Sequence, residues 1–100
     1  MHAFRLAAAL LLLAIAPASA TEFCGLRPTA DGFVALRAAP STRARLLARM
    51  RVGDEVLAQQ GLRGPWVEVL WWRGDTRLTR GFHTGRRGWA VQSLIDDLCG

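Results

Sequence analysis

Cys24 and Cys99 constrain this chain more than any other pair of residues. They are its only cysteines, and they bracket nearly everything that follows residue 20. What precedes them reads as an export signal. Met1-His2-Ala3-Phe4-Arg5 leads into an apolar stretch from Leu6 to Ala16 and then Pro17-Ala18-Ser19-Ala20. A positive start, a short apolar core and an Ala-x-Ala end describe a secretory signal peptide. Cleavage is expected between Ala20 and Thr21. The 11 residues of that apolar stretch fall short of the ~20 that span a bilayer. An uncleaved anchor is therefore the weaker reading, and no stable membrane insertion is expected after cleavage. In an exported protein an even cysteine count reads as a disulfide. The bond would close a loop of 75 residues, from 24 to 99. It would hold the two Cα atoms roughly 4.4–6.8 Å apart and contribute on the order of 4 kcal/mol in the chain-entropy account. The chain must then return to where it began. A lipid-modified Cys24 fits poorly, because Phe23 stands where a lipoprotein signal places a small residue. Redox catalysis also fits poorly, since neither cysteine belongs to a Cys-x-x-Cys pair.

Residues 21–100 make one small domain, too short for two domains or a large catalytic cleft. A core of this size is marginal, which is where a covalent staple matters most. Of the 51 hydrophobic residues, 16 lie in the leader, and the 35 that remain still support a packed core. With Arg5 in the leader, 12 arginines face eight acids, a net +4, and lysine is absent. Arginine favours bidentate pairing with carboxylate or phosphate. Scattered along the chain as these are, they also fit a plain compositional bias. An exported chain is a poor candidate for a nucleic-acid binder.

Turn residues recur at short intervals: Asp31-Gly32, Pro40-Ser41, Gly53-Asp54, Gly61 to Pro65, Gly74-Asp75, Gly85 and Gly88. Short apolar runs between frequent turns predict an all-β barrel or sandwich. Strands are expected at Phe33–Arg37, Leu46–Met50, Glu55–Ala58, Trp66–Trp72 and Gly88–Gln92. The second region is ambiguous, because Leu46, Leu47 and Met50 also have helical spacing. In the Trp66–Trp72 run, Val67, Val69 and Trp71 share one face while Trp66, Glu68, Leu70 and Trp72 share the other. Gly74-Asp75 can form a two-residue hairpin turn, with the chain returning through Thr76 to Phe82. Ser93 could cap a single helical turn over Leu94–Leu98 that delivers Cys99 to its partner.

The order of these motifs resembles the bacterial Src-homology-3-like (SH3b) family. Val34-Ala35-Leu36-Arg37-Ala38-Ala39-Pro40-Ser41 is similar to that family's opening Leu-Asn-Val-Arg-x-x-Pro-Ser, with Ala35 in place of Asn. Leu46-Leu47, Met50 and then Gly53-Asp54-Glu55-Val56 follow in order. Trp66 and Val69 match a Trp-x-x-Val element, and Gly85-Arg86-Arg87-Gly88-Trp89-Ala90 resembles Gly-x-x-Gly-Trp-Val. Ser93-Leu94-Ile95 resembles the closing turn. The resemblance covers about residues 32–98. It implies a small SH3-like barrel with a short C-terminal helical turn and neighbouring termini, which suits the disulfide. One departure stands out: residues from about Leu70 to Thr84 replace a tight turn and read as an extended hairpin arm.

No catalytic set is expected. Ser41 and Ser93 lie in no Gly-x-Ser-x-Gly elbow, and His83 is the sole histidine after the leader. One histidine, two bridged cysteines and Asp96-Asp97 make neither a zinc nor a calcium set, so no metal and no cofactor is expected. Binding remains. Trp66 and Trp89 match positions that serve the core in the resembled family. Trp71 and Trp72 must point to opposite faces, and Trp72 is expected to be the exposed one. Trp71, Trp72, Arg73, Arg77, Arg80, Arg86 and Arg87 could form a cationic, aromatic surface for carboxylate-bearing peptides. The plainer reading is a solvated charged arm. The resemblance implies non-catalytic recognition of peptidoglycan, chiefly its stem peptides, in the periplasm. The alternative is a protein-interaction module, such as an accessory subunit or inhibitor of an envelope protein, using the strand edge of the hairpin.

Overall fold

In the computed structural model, residues 23–74, 84–96 and 99 are described. The leader, Ala20 and Thr21 therefore lie outside the described residues. Six strands follow one another: β1 (Phe23–Cys24), β2 (Val34–Arg37), β3 (Leu46–Met50), β4 (Glu55–Arg63), β5 (Trp66–Trp72) and β6 (Arg86–Val91). They form one antiparallel sheet in the order β1-β4-β5-β6-β2-β3. The sheet is not closed, and β1 and β3 are its edges.

β5 sits between β4 and β6 and is paired on both sides. Its β-branched and aromatic run suits that central place. Val67 and Val69 point to the core, joined by Val34 and Leu36 of β2, Met50 of β3, Val56 of β4 and Ala90 of β6. The buried positions alternate along β2 and β6 as a half-buried sheet requires. Cys24, Leu26 and Ile95 complete this core.

β4 runs five residues beyond the expected Ala58, to Arg63. The glycine-rich tract is strand up to its last two residues. Arg63 pairs with Trp66, which leaves only Gly64-Pro65 as the turn. Gly64 has φ +55, and proline holds the next φ negative. A two-residue hairpin with that sign pattern is type II′. A register shift between Ala58 and Leu62 absorbs the irregular stretch.

One expectation fails in the second half of the chain, at the closing turn. The expected turn at Gly74-Asp75 and the return from Thr76 to Phe82 run into residues outside the described ones. Both edges of β5 are taken at Trp71, by Val56 of β4 and Arg86 of β6. The rest of the expected arm, residues 75–83, lies outside the described residues. The closing turn begins earlier than expected. A 3-10 turn spans Gln92–Leu94, with no side-chain cap from Ser93 or any other residue. The backbone then leaves the helical path because it has extended partners. Arg27 N donates to Leu94 O at 2.9 Å, Asp96 N donates to Gly25 O at 2.9 Å, and Leu26 bridges Ile95.

The ends meet as the cysteines require. Phe23 and Cys24 pair with Leu57 and Val56 of β4, while residues 25–27 pair with 94–96. The Cys24–Cys99 disulfide closes with a Cα–Cα distance of 4.3 Å.

Candidate functional site

Asp54 organises the end of the sheet where the chemistry-bearing residues collect. It closes a turn after β3, in which its own N–H donates to Arg51 O at 2.9 Å. Its side chain is 5% exposed, the one buried charged group among the described residues. A buried carboxylate is costly unless donors surround it. Here three N–H groups do. Arg51 N donates to Oδ2 at 2.9 Å, Trp71 Nε1 donates to Oδ2 at 3.0 Å, and Gly74 N donates to Oδ1 at 2.7 Å. One carboxylate thus ties the turn before β4, the indole near the end of β5 and the first residues of the loop beyond it.

The clamp fixes the Trp71 ring. The ring packs partly against the core, and the Arg73 guanidinium lies over it, 5.0 Å from the centroid. Such a contact at a solvent-facing site contributes about 0.5–1 kcal/mol. Arg86 is directly opposite Trp71 across the β5–β6 ladder, and opposed residues share a face. Arg86 and Arg73 are exposed. Trp71, Arg73 and Arg86 therefore form a cationic aromatic surface on a preset support.

Trp72 and Arg87, the other expected site residues that are described, do not join it. Trp72 is buried, with 8% exposure, so its expected exposure is corrected. Its ring meets Phe23 edge-on, with centroids 5.3 Å apart. Gly85 lies against the same ring, and a Cβ there would come within 2.8 Å of it. Arg87 pairs with Leu70 on the Trp72 face and forms an ion pair with Glu68 at 3.2 Å. Exposed pairs of this kind contribute about 0–1 kcal/mol. Arg77 and Arg80 lie outside the described residues, as does His83. The sheet thus divides the expected cluster between its two faces.

Trp66 is buried, and Trp89 is half-buried beside Gly61. The Ser41 hydroxyl accepts from Arg43 N at 3.1 Å, a turn contact. Among the described residues no group of three or more His, Cys, Asp or Glu side chains could hold a metal ion. No described helix is long and apolar enough to cross a membrane.

Two grooves flank the segment from Thr29 to Val34. One, of about 310 Å³, is lined by Asp31, Phe33, Arg37, Thr42, Trp66 and Leu94 among others. The other, of about 230 Å³, is lined by Arg27, Phe33, Met50, Arg51 and Val52 among others. Their walls come from segments distant in sequence, so no local motif marks them. No family model, no curated protein and no solved structure matches this chain.

Proposed function

We propose that this chain is an exported, non-catalytic binding module of the SH3b type, which docks on the stem peptides of peptidoglycan in the cell envelope. The fold reading beneath it is a small SH3-like barrel. In its favour, residues 23–27 bridge β4 on one side and the segment after β6 on the other. A sheet bent back toward itself at that seam is what a small barrel needs. The disulfide favours residence in an oxidising compartment such as the periplasm.

The observation that carries the binding reading is the Arg73 guanidinium stacked over Trp71, whose indole N–H is held by buried Asp54. The ring cannot turn away without giving up a charge-assisted hydrogen bond, so the surface is preorganised. Stem peptides carry carboxylates and short aliphatic side chains. Arg73 and Arg86 would take the carboxylates, and the Trp71 face would take the aliphatic part.

Co-sedimentation of the oxidised protein with purified peptidoglycan sacculi tests this, at low and high salt and beside an Arg73→Glu/Arg86→Glu variant. Saturable binding is expected, weakened by salt because exposed charge contacts are screened, and reduced roughly tenfold or more by the double reversal. Absence of binding at either salt would end the proposal. Undiminished binding by the variant would move the site elsewhere.

A further inference from the structure

The charge of this protein is polarised in a way the arginine count alone conceals. Between Gly32 and Gly53 stand Arg37, Arg43, Arg45, Arg49 and Arg51, with no aspartate or glutamate among them. The rest of residues 21–100 holds seven arginines against eight acids. The whole positive excess therefore sits on the β2–β3 hairpin. That hairpin ends the sheet: β3 has β2 on one side and no strand on the other among the described residues. Arg43, Arg45, Arg49 and Arg51 are exposed. None of the four has a carboxylate partner among the described residues. Arg49 rests over the Phe33 ring at 5.4 Å.

An open edge offers a row of backbone donors and acceptors to any extended chain. The arginines select among candidates. A second copy laid antiparallel on β3 in the register centred on Ala48 would place Arg45 opposite its partner's Arg51. Like charges set opposite each other destabilise a ladder, so this edge repels its own kind. An acidic strand meets the reverse situation.

We propose that the open edge of β3 receives an extended acidic polypeptide as an added strand, its carboxylates paired with Arg45, Arg49 and Arg51. Ladder hydrogen bonds supply the docking geometry. The guanidinium forks, which grip carboxylates in bidentate fashion, supply the choice of partner. The groove beside Arg51 continues this surface past the end of β3, with Phe33 and Met50 in its lining and Val52 64% exposed at its rim. It accepts an apolar side chain flanking the acidic segment. The surface lies on other strands than Trp71 and does not depend on the peptidoglycan reading.

The test is a fluorescence-anisotropy titration of the oxidised protein with a labelled peptide of about seven residues, a typical strand length, alternating glutamate and valine. Two further peptides carry N-methyl groups at alternate residues, one in each frame. A strand edge bonds to every second residue of its partner. One methylated frame should therefore lose binding while the other keeps it. Arg45→Glu/Arg49→Glu should weaken the parent peptide roughly tenfold, with the near-ultraviolet dichroism of the tryptophans unchanged. Arg63→Glu, exposed on β4 and outside both this hairpin and the Trp71 surface, should bind as the parent protein does. Equal binding of the two methylated frames would show attraction to polyanions without strand pairing and overturn the proposal. So would the absence of peptide binding, or vesicles of anionic phospholipid binding where the peptide does not.

Discussion

Trp71 and Trp72 are adjacent in sequence and opposite in use. Trp72 meets Phe23 edge-on, lies against Gly85 and is 8% exposed. Trp71 gives its indole N–H to Asp54 at 3.0 Å and carries the Arg73 guanidinium on its ring. One tryptophan is buried structure on the outer face of the sheet. The other is held by a polar contact and stays half-buried. The strand period puts them on different faces, but what covers each face decides how far each ring is exposed. The covering comes from β1 and from Gly85, well outside the strand itself.

The contrast can be broken from either side. The largest effect should come from Trp72→Ala, which removes a buried aromatic ring and its contact with Phe23. A loss of about 3–5 kcal/mol is expected, read from urea unfolding of the oxidised protein. A cost below about 1 kcal/mol would mean that Trp72 is not packed. Asp54→Ala comes next. It strips the acceptor from three N–H donors and should cost about 2–3 kcal/mol, since buried unmet donors are expensive. It should also weaken sacculus binding, because the Trp71 ring loses its anchor. Smaller again, Trp71→Phe keeps an aromatic face for Arg73 and loses one hydrogen bond to a charged acceptor, for about 1–2 kcal/mol. Arg73→Ala is the smallest in stability, within about 1 kcal/mol, yet it should reduce binding measurably. A variant with intact stability and impaired binding is what separates the two tryptophans most sharply.

The strands show which features a sequence makes legible. Leu46–Met50 and Trp66–Trp72 have the expected bounds, and β2 starts one residue after the expected Phe33. Alternation and turn residues are local signals, and local signals suffice for those elements. β1 leaves no signal in the sequence because two residues carry no period. β4 looked shorter because Gly61 and Gly64 resemble one loop, whereas only Gly64-Pro65 turns the chain. The helical reading of Leu94–Leu98 gave way because Gly25 and Arg27, about 70 residues earlier in the chain, take the backbone groups of Leu94 and Asp96. The site follows the same rule. Trp71, Arg73 and Arg86 were visible as residue types, but their separation from Trp72 and Arg87 needs the ladder register. In the sequence Asp54 is a turn residue beside Gly53. Its three donors come from positions 51, 71 and 74, and only the fold assembles them.

The most direct measurement follows the indole N–H resonances of the oxidised protein by heteronuclear NMR while a soluble peptidoglycan stem peptide is added, with Trp→Phe variants supplying the assignments. The four tryptophans then report on both faces: Trp71 on the cationic surface, and Trp66 at the groove of about 310 Å³, Trp72 and Trp89 on the opposite face. The account predicts a saturable shift at Trp71, absent in Arg73→Glu/Arg86→Glu, with Trp72 unmoved. A shift at Trp66 or Trp89 with Trp71 silent, or no shift at any of them as the peptide rises to millimolar levels, would contradict it.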